Sequence, residues 1–368
     1  MKQKFYTLDN ILKFDADYNL IIGERSNGKT TAVIGYCLKK FIESKYTNQF
    51  AIIRRWEEDY KGKNGKQMFS AIISLDWINQ WSNGEYNNIF YYGQCWYLCF
   101  IDKNGTKLNQ CPTPFCMGFS LSSEEHYKST AYPNIKYILF DEFITRKYYL
   151  PDEFVSFQNV LSTIIRQRDD VTIFMCGNTI NKYCPYFEEM GLSNVKNQQQ
   201  GTIDIYNYGD SGLKVAVEYC SSLSKSKKSN KYFAFNNPKL QMITNGNWEM
   251  NIYPHLTTKF KPQDIKMTYY IEFNGELLEC KIIRSEELKN YITFIHRKTT
   301  PIRDDNKNLV FTPNINGKSN YIQKITKPFY PVTKKILDFF NENKVFYQSN
   351  EIGEIVRNYI IWCRKEAL

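Results

Sequence analysis

The sequence predicts an α/β protein with a mostly parallel central sheet of the phosphate-loop (P-loop) NTPase kind, followed by a smaller α+β domain. Three observations carry this reading. Residues 19–37, NLIIGERSNGKTTAVIGYC, run from an apolar strand through a glycine-containing loop into a helix, and Gly23 to Thr30 fit G-x-x-x-x-G-K-[ST]. Residues 135–143, IKYILFDEF, are a continuous apolar run closing on two carboxylates, the pattern of a strand buried on both faces of a parallel sheet. Such runs alternate with helical patterns to about residue 222, after which the text becomes polar, basic and serine-rich (SSLSKSKKSNKY).

The chain's 368 residues exceed one typical core and suggest a larger α/β domain over 1–222, a linker over 223–254 and a smaller domain over 255–368. A hydrophobic content of 42% with 16% aromatics excludes wholesale disorder. No run of about 18 apolar residues is present, so no transmembrane helix is expected. The first residues, MKQKFYTLDN, turn polar too soon for a secretory signal, and ten cysteines without one read as reduced thiols in a cytosol. The net charge of +10 points to a polyanionic partner, nucleic acid before membrane, against the plainer reading of a basic protein with none.

Taken in order, residues 19–22 form a buried strand, the loop follows, and a helix extends to about Lys45. QFAIIRR (49–55) is a second strand. YKGKNGK reads as a loop and FSAIISLDWINQW as helical. NIFYYGQCWYLCFID and the segment after Asn104-Gly105 read as a strand meander inserted into the alternation. Cys95, Cys99, Cys111 and Cys116 resemble two metal half-sites. Four residues along a strand span about 13 Å, however, so core or hairpin cysteines are the better reading. PDEFVSFQNVLSTIIRQR (151–168) suits a helix with Pro151 in its first turn, and VTIFMCGN a buried strand. In the last third, MTYYIEFNGELLECKIIR is a hairpin about Asn274-Gly275, and PVTKKILDFFNENK and EIGEIVRNYIIWCRK are helices.

The chemistry concentrates at two places. A strand–loop–helix junction converges backbone N–H groups and a helix N-terminus on an anion, so Gly23, Arg25, Ser26, Asn27, Gly28, Lys29, Thr30 and Thr31 are the candidate ATP contacts. Lys29 bridges the β- and γ-phosphates, and the Thr30 hydroxyl serves Mg²⁺. Asp141, at a strand's C-terminal end, is the second candidate for Mg²⁺, and Glu142 is the candidate general base. The strand at 49–55 lies between the loop strand and the acidic strand in sequence, and the glutamate directly follows the aspartate. Both features belong to the additional-strand, catalytic-glutamate branch of P-loop ATPases. Asn178, closing the next strand, is a sensor of the γ-phosphate or a turn asparagine.

With IIGERSNGKTT, FAIIRRW, KSTAYPNIKYILFDEFI, PDEFVSFQNVLSTIIRQRD and the strand ending CGN in the same order, the chain resembles the DNA encapsidation proteins of small short-tailed phages with protein-primed linear genomes. These motifs span about the first 180 residues; the likeness is faint beyond 222. The resemblance implies a homo-oligomeric ring ATPase, pentameric in that family. Such a ring docks transiently on the portal of an empty capsid in the host cytoplasm and drives double-stranded DNA inward.

The resemblance also implies that Arg166 is presented to a neighbour's nucleotide, with Lys128 a second cation of similar placement and Arg25 a loop arginine. A dipole-favoured helix end is the plainer reading of Arg166 and Arg168. We expect Arg25 to alternate between the γ-phosphate and a carboxylate, Glu142 or a neighbour's, and Glu24 to point toward solvent or a subunit interface.

A DNA-contacting lysine of the family matches Glu57 here, so Lys61, Lys63 and Lys66 are candidates in its place, with Lys147 on a second pore-facing loop. These would grip phosphates without reading sequence. The resemblance further implies a degenerate ribonuclease-H-like C-terminal domain whose basic surface binds a packaging RNA. Its residues 255–368 hold 19 lysines and arginines against 13 carboxylates. Asp264, Glu272, Glu279, Asp304 and Asp305 are too scattered for a two-metal nuclease. The competing readings are a helicase-like ring ATPase and a nucleotide-gated nucleic-acid-binding assembly protein without turnover.

Overall fold

The computed structural model describes residues 5–127, 130–145, 149–150, 152–180, 182, 184–221, 248, 253–256, 259–285, 290–303 and 306–364. The chain divides into two compact units, 1–249 and 250–368.

In the first unit, β1 (Tyr18–Gly23) leads through the phosphate-type loop into α1 (Lys29–Glu43), followed by β2 (Gln49–Arg54). Three short helices come next: α2 (Gly62–Gln67), α3 (Ser70–Ser74) and α4 (Trp77–Trp81). Then come β3 (Asn88–Tyr92), β4 (Cys95–Ile101), β5 (Lys107–Gln110) and β6 (Cys116–Ser120). β7 (Ile135–Asp141), α5 (Glu153–Ile165), β8 (Thr172–Asn178), α6 (Pro185–Glu189), β9 (Ile203–Tyr208) and β10 (Leu213–Tyr219) complete it.

The sheet runs β3-β4-β6-β2-β7-β8-β1-β10-β9, with β5 on β4. Its centre, from β6 to β10, is parallel. Strand alternation divides the apolar residues between two cores. Leu20 and Ile22 of β1 pack with Phe157, Val160 and Leu161 of α5, while Ile21 packs with Val33, Cys37 and Phe41 of α1. Each face is thus sealed by a helix, which is why these strands read as unbroken apolar runs. β2 intervenes in sequence, but in space it is β8 that separates β1 from β7. Gly23 pairs with Asn178 and Asp141 with Cys176, so three strand tips carrying the loop, the asparagine and the acidic pair lie side by side.

Several local expectations change. YKGKNGK is largely helical, as α2, because tertiary contacts override its glycine and lysine content. The Trp96 indole donates to the Gly65 carbonyl at 2.8 Å, and a Cβ on Gly65 would meet the Tyr60 carbonyl at 2.2 Å. FSAIISLDWINQW breaks into α3 and α4 at Asp76, whose φ is 58°. The meander is an extension of the main sheet: β4 pairs with β6 at Cys95↔Met117 and Trp96↔Cys116. β6 itself, five residues with Gly118 against the Tyr60 ring, escapes a periodicity reading. Cys99, Cys111 and Cys116 are buried. Of the stretch read as a linker, Trp248, Tyr253 and Pro254 are described; Trp248 packs on Phe187 and Tyr219 of the first unit.

The second unit holds β11 (Ile265–Phe273), β12 (Glu276–Ser285), β13 (Asn290–Arg297), β14 (Val310–Phe311) and β15 (Tyr321–Ile322). α7 (Pro331–Asn341), β16 (Val345–Tyr347) and α8 (Asn350–Arg364) follow. Asn274 and Gly275 turn the β11–β12 hairpin with φ of 51° and 72°, as a two-residue turn requires. The sheet order is β15-β14-β11-β12-β13-β16; β11, β12 and β13 are antiparallel neighbours and β14 and β15 add in parallel. Glu279 is engaged by Lys281 at 3.0 Å and His296 at 2.9 Å, and the Asp264 carboxylate accepts the Lys261 N–H at 2.7 Å. Asp304 and Asp305 lie outside the described residues. Among the described residues no helix is long and apolar enough to cross a membrane.

Candidate nucleotide site

The loop between β1 and α1 has a backbone that its sequence demands. Gly28 has φ of 91°, a conformation costly for any residue with a Cβ, and Ser26 has φ of 60°. A Cβ on Gly23 would lie 2.9 Å from the Cβ of Cys220. Held this way, the loop opens α1 at Lys29, whose N–H donates to Asn27 Oδ1 at 3.3 Å, and the first helical turn, whose N–H groups have no partner within the helix, contributes Lys29, Thr30 and Thr31 to the cleft lining. The N-terminal segment braces it: the Tyr6 N–H donates to the Asn27 carbonyl at 3.1 Å and the Tyr6 hydroxyl to Glu218 at 2.6 Å.

Lys29 is buried, and its ammonium donates to the Glu24 carbonyl (2.7 Å), Asn27 Oδ1 (3.1 Å) and Asn178 Oδ1 (3.3 Å). Burial pushes its pKa down, while nearby Cys220, Cys176, Asp141 and Glu24 oppose that shift. The three acceptors match the three protons of an ammonium, and Asn178 is thereby at the loop rather than in a remote turn.

Thr30 Oγ1 donates to Asp141 Oδ1 at 2.8 Å, and Asp141 is 4% exposed. Arg54 spans both carboxylates, 2.6 Å from Asp141 Oδ2 and 3.0 Å from Glu142 Oε2. Burial disfavours the Arg54 charge, but the two carboxylates more than offset this and hold its pKa above the ordinary value. A hydroxyl beside a buried carboxylate is an oxygen donor pair suited to a hard divalent cation such as Mg²⁺, which would compete with Arg54 for Asp141. Glu142 has φ of 59° and a largely exposed side chain.

Asn27, Lys29, Thr30, Asp141, Glu142 and Asn178 line one cleft of about 1230 Å³, which also includes Arg25, Ser26, Thr31 and, farther along, Phe5, Tyr36 and Trp77. Arg25 is exposed at its edge, but the cation on Glu142 is Arg54. Glu24 does not line the cleft, but it is buried, at 1% exposure, so the expectation that it points toward solvent or a subunit interface is corrected.

Arg166 caps the C-terminal end of α5 with φ of 53°, is exposed, and donates to the Thr130 carbonyl at 3.0 Å; it lies off the cleft of its own chain. Arg168 is committed to the carbonyls of Tyr132, Pro133, Ile135 and Ile164, which makes it an anchor of the helix end. Lys63 and Lys66 are exposed on α2, whereas Lys61 pairs with Glu57 at 3.4 Å and Glu58 at 3.9 Å. Lys128 and Lys147 lie outside the described residues.

Sequence reasoning missed Arg54 and Arg55 as site residues. The signal was available: two cations close β2, the strand paired with the one that ends Asp-Glu. Arg54→Ala is expected to lower the melting temperature of the nucleotide-free protein, since loss of a charged hydrogen bond costs about 1.5–3 kcal/mol. It is also expected to enlarge the thermal shift produced by Mg²⁺ with a non-hydrolysable ATP analogue, because a cation then restores the lost neutralisation. Equal thermal shifts in variant and wild type would contradict this account of Arg54.

Residues 111–235 match the family model described as podovirus DNA encapsidation protein (Gp16). The chain is 26% identical over 346 residues to the DNA packaging protein of Bacillus phage PZA, covering 89% of this chain and 92% of the relative. It is 29% identical over 189 residues, 50% of each chain, to the DNA packaging protein of Bacillus phage phi29. Two solved structures share the fold. One is the bacteriophage Phi-29 viral genome packaging motor assembly, with TM-score 0.58, 20% identity and coverage of 98% of this chain and 99% of that one. The other is the Phi-28 gp11 DNA packaging motor, with TM-score 0.55, 18% identity and full coverage of both chains.

Proposed function

We propose that the chain is a member of the podovirus DNA encapsidation family, whose model matches residues 111–235, and that it is an ATP-hydrolysing motor that moves double-stranded viral DNA into a preformed capsid. The observation that carries the reading is the convergence of Lys29, Thr30, Asp141, Glu142 and Asn178 at adjoining strand tips around one cleft. Strand order supports it too: β8 between β1 and β7 is the arrangement of the additional-strand ATPases.

In this mechanism the loop N–H groups and Lys29 take the β- and γ-phosphates, exchanging the Lys29 contacts to Asn27 and Asn178 for phosphate oxygens. Thr30 and Asp141 would hold Mg²⁺, which supplies charge neutralisation at the phosphates. Glu142 orients water and accepts its proton. Arg54 must release Glu142 before that carboxylate can act, so the Arg54–Glu142 pair restrains hydrolysis until it parts. Asn178 reports loss of the γ-phosphate, and Arg25 at the cleft edge adds positive charge beside it.

Arg166, exposed and off its own cleft, acts on the nucleotide of a neighbouring copy, with Lys128 in support. This makes the working unit a homo-oligomeric ring, pentameric as in the family, seated on a portal in the host cytoplasm. Lys63, Lys66 and Lys147 are the proposed phosphate contacts to DNA, Lys61 contributing once freed from Glu57. We take 1–222, 223–254 and 255–368 as motor domain, linker and C-terminal domain. For the last, three antiparallel strands followed by two added in parallel beside the first favour a ribonuclease-H-like ancestry. Its nuclease chemistry is degenerate, and its basic charge suits an RNA partner.

The test is specific ATPase activity against protein concentration, with and without double-stranded DNA. Activity is expected to rise with concentration and with DNA. A flat dependence would contradict a trans-acting Arg166, and absence of hydrolysis at every concentration with DNA would sink the motor in favour of a nucleotide-gated assembly protein.

A further inference from the structure

Arg54 and Arg55 are neighbours in sequence but serve different parts of the same turn. Arg54 takes the carboxylates of Asp141 and Glu142, whereas Arg55 takes main-chain carbonyls. Its NH1 donates to the Glu142 carbonyl at 3.3 Å and its NH2 to the Phe143 carbonyl at 3.0 Å. Its other bonds go to Glu153, from Nε to Oε2 at 2.7 Å and from NH2 to Oε1 at 2.8 Å.

Both partners are deeply buried, Arg55 at 7% and Glu153 at 3% exposure. Glu153 is the first residue of α5 and also accepts the Tyr186 hydroxyl at 2.9 Å and the Leu150 N–H at 2.6 Å. The Tyr149 ring lies 5.2 Å from the guanidinium. From the other side, Gly177 admits Phe143 and Ile144 so closely that a Cβ there would lie 2.8 Å from each. A buried ion pair is by itself weak evidence for stability. What distinguishes this one is that its remaining donors hold the backbone of Glu142, whose φ of 59° is a conformation that persists only when its surroundings impose it.

We propose that Arg55 is a positioning residue that fixes the Glu142 turn and binds it to the first turn of α5, so that turn and helix move as one piece. α5 spans 13 residues, about 20 Å at 1.5 Å per residue, and its far end carries Arg166. The side chain proposed to activate water in one subunit and the arginine proposed to serve its neighbour's nucleotide are therefore set by one buried guanidinium. The inference rests on the roles given above to Glu142 and Arg166. It adds a physical reason why the two must change position together: the Arg55–Glu153 pair cannot part without leaving two buried charges uncompensated.

The test uses the full-length chain with double-stranded DNA. Because Arg55→Ala would strand Glu153, the variants are the conservative R55K and the volume-matched apolar triple R55M/E153L/Y186F. Melting temperature and the fraction of sites that bind a non-hydrolysable ATP analogue are measured beside turnover. Per binding-competent site, kcat is expected to fall about a hundredfold, the cost of misplacing a reacting group by an ångström. KM and analogue affinity stay close to wild type, and the rise of specific activity with protein concentration is lost.

A folded variant whose kcat per competent site matches wild type would overturn the proposal, as would loss of folded sites alone. A second measurement needs no variant: in the wild-type chain, hydrogen exchange at residues 142–145 and 153–157 must change together when the analogue binds. Independent changes would overturn the coupling. Absence of hydrolysis in the wild type would instead count against the ATPase reading, so the two failures are distinguishable.

Discussion

Glu142→Gln is expected to slow ATP hydrolysis by about a thousandfold, within the range that a positioned general base contributes, while nucleotide binding persists. The substitution removes the basic oxygen and keeps the shape. It costs little stability, because the Glu142 side chain is 63% exposed and its partner Arg54 retains Asp141 at 2.6 Å; exposed ion pairs contribute about 0–1 kcal/mol. The backbone is spared as well, since the Glu142 main chain is held by Arg55 through its carbonyl. Steady-state turnover with equilibrium binding of a fluorescent ATP analogue gives the answer. A variant still hydrolysing within tenfold of wild type would move the base to another residue. Loss of binding together with turnover would show instead that Glu142 shapes the cleft.

Lys29→Met is expected to separate stability from binding in the opposite direction. The ammonium is buried, and burial pushes its pKa below the ordinary lysine value of 10.5. The unfolded chain therefore binds this proton more tightly than the folded one, and the buried charge opposes folding at neutral pH. As pH rises from the lowered value toward 10.5, that opposition fades and the wild type gains stability. Methionine removes both the penalty and its pH dependence, although the acceptors of Glu24, Asn27 and Asn178 lose their donor.

Folding stability of the nucleotide-free variant is thus expected at or above wild type at neutral pH. Affinity for ATP falls about 10- to 100-fold, from loss of charge-assisted phosphate bonds worth about 1.5–3 kcal/mol. Thermal melts across pH 7 to 10 with nucleotide titrations check both halves. A variant less stable than wild type that still binds ATP as tightly would invert the assignment.

The parts of the site legible in the sequence are those whose chemistry is written in adjacent residues. The loop needs left-handed backbone at Gly28 and a cation and hydroxyl at the first helical turn, so Gly28-Lys29-Thr30 announces itself. The acidic pair stands out because four apolar residues before Asp141 leave it no other excuse. Asn178 is ambiguous as a strand-end asparagine until the 3.3 Å contact to Lys29 gives it an address. Glu24 was misread for the same reason: a charged residue in a loop looks outward-facing in the sequence, and only the folded chain leaves it 1% exposed.

By itself the sequence determined which residues are the candidates for phosphate chemistry, the parallel core of the first unit, and the hairpin and two helices of the second. These are short-range properties: backbone freedom, strand and helix periodicity, and the desolvation of charges beside apolar runs. Only the tertiary structure decided which cation meets which carboxylate. Arg54 and Asp141 are 87 residues apart, and Arg55 and Glu153 are 98 apart. Their meeting depends on β2 lying beside β7 while β8 enters between β7 and β1. Pairing across a sheet is set by strand order and by what each face can bury. Neither is encoded in the spacing of the residues that meet, so the clamp on Glu142 became visible only once the strands were side by side.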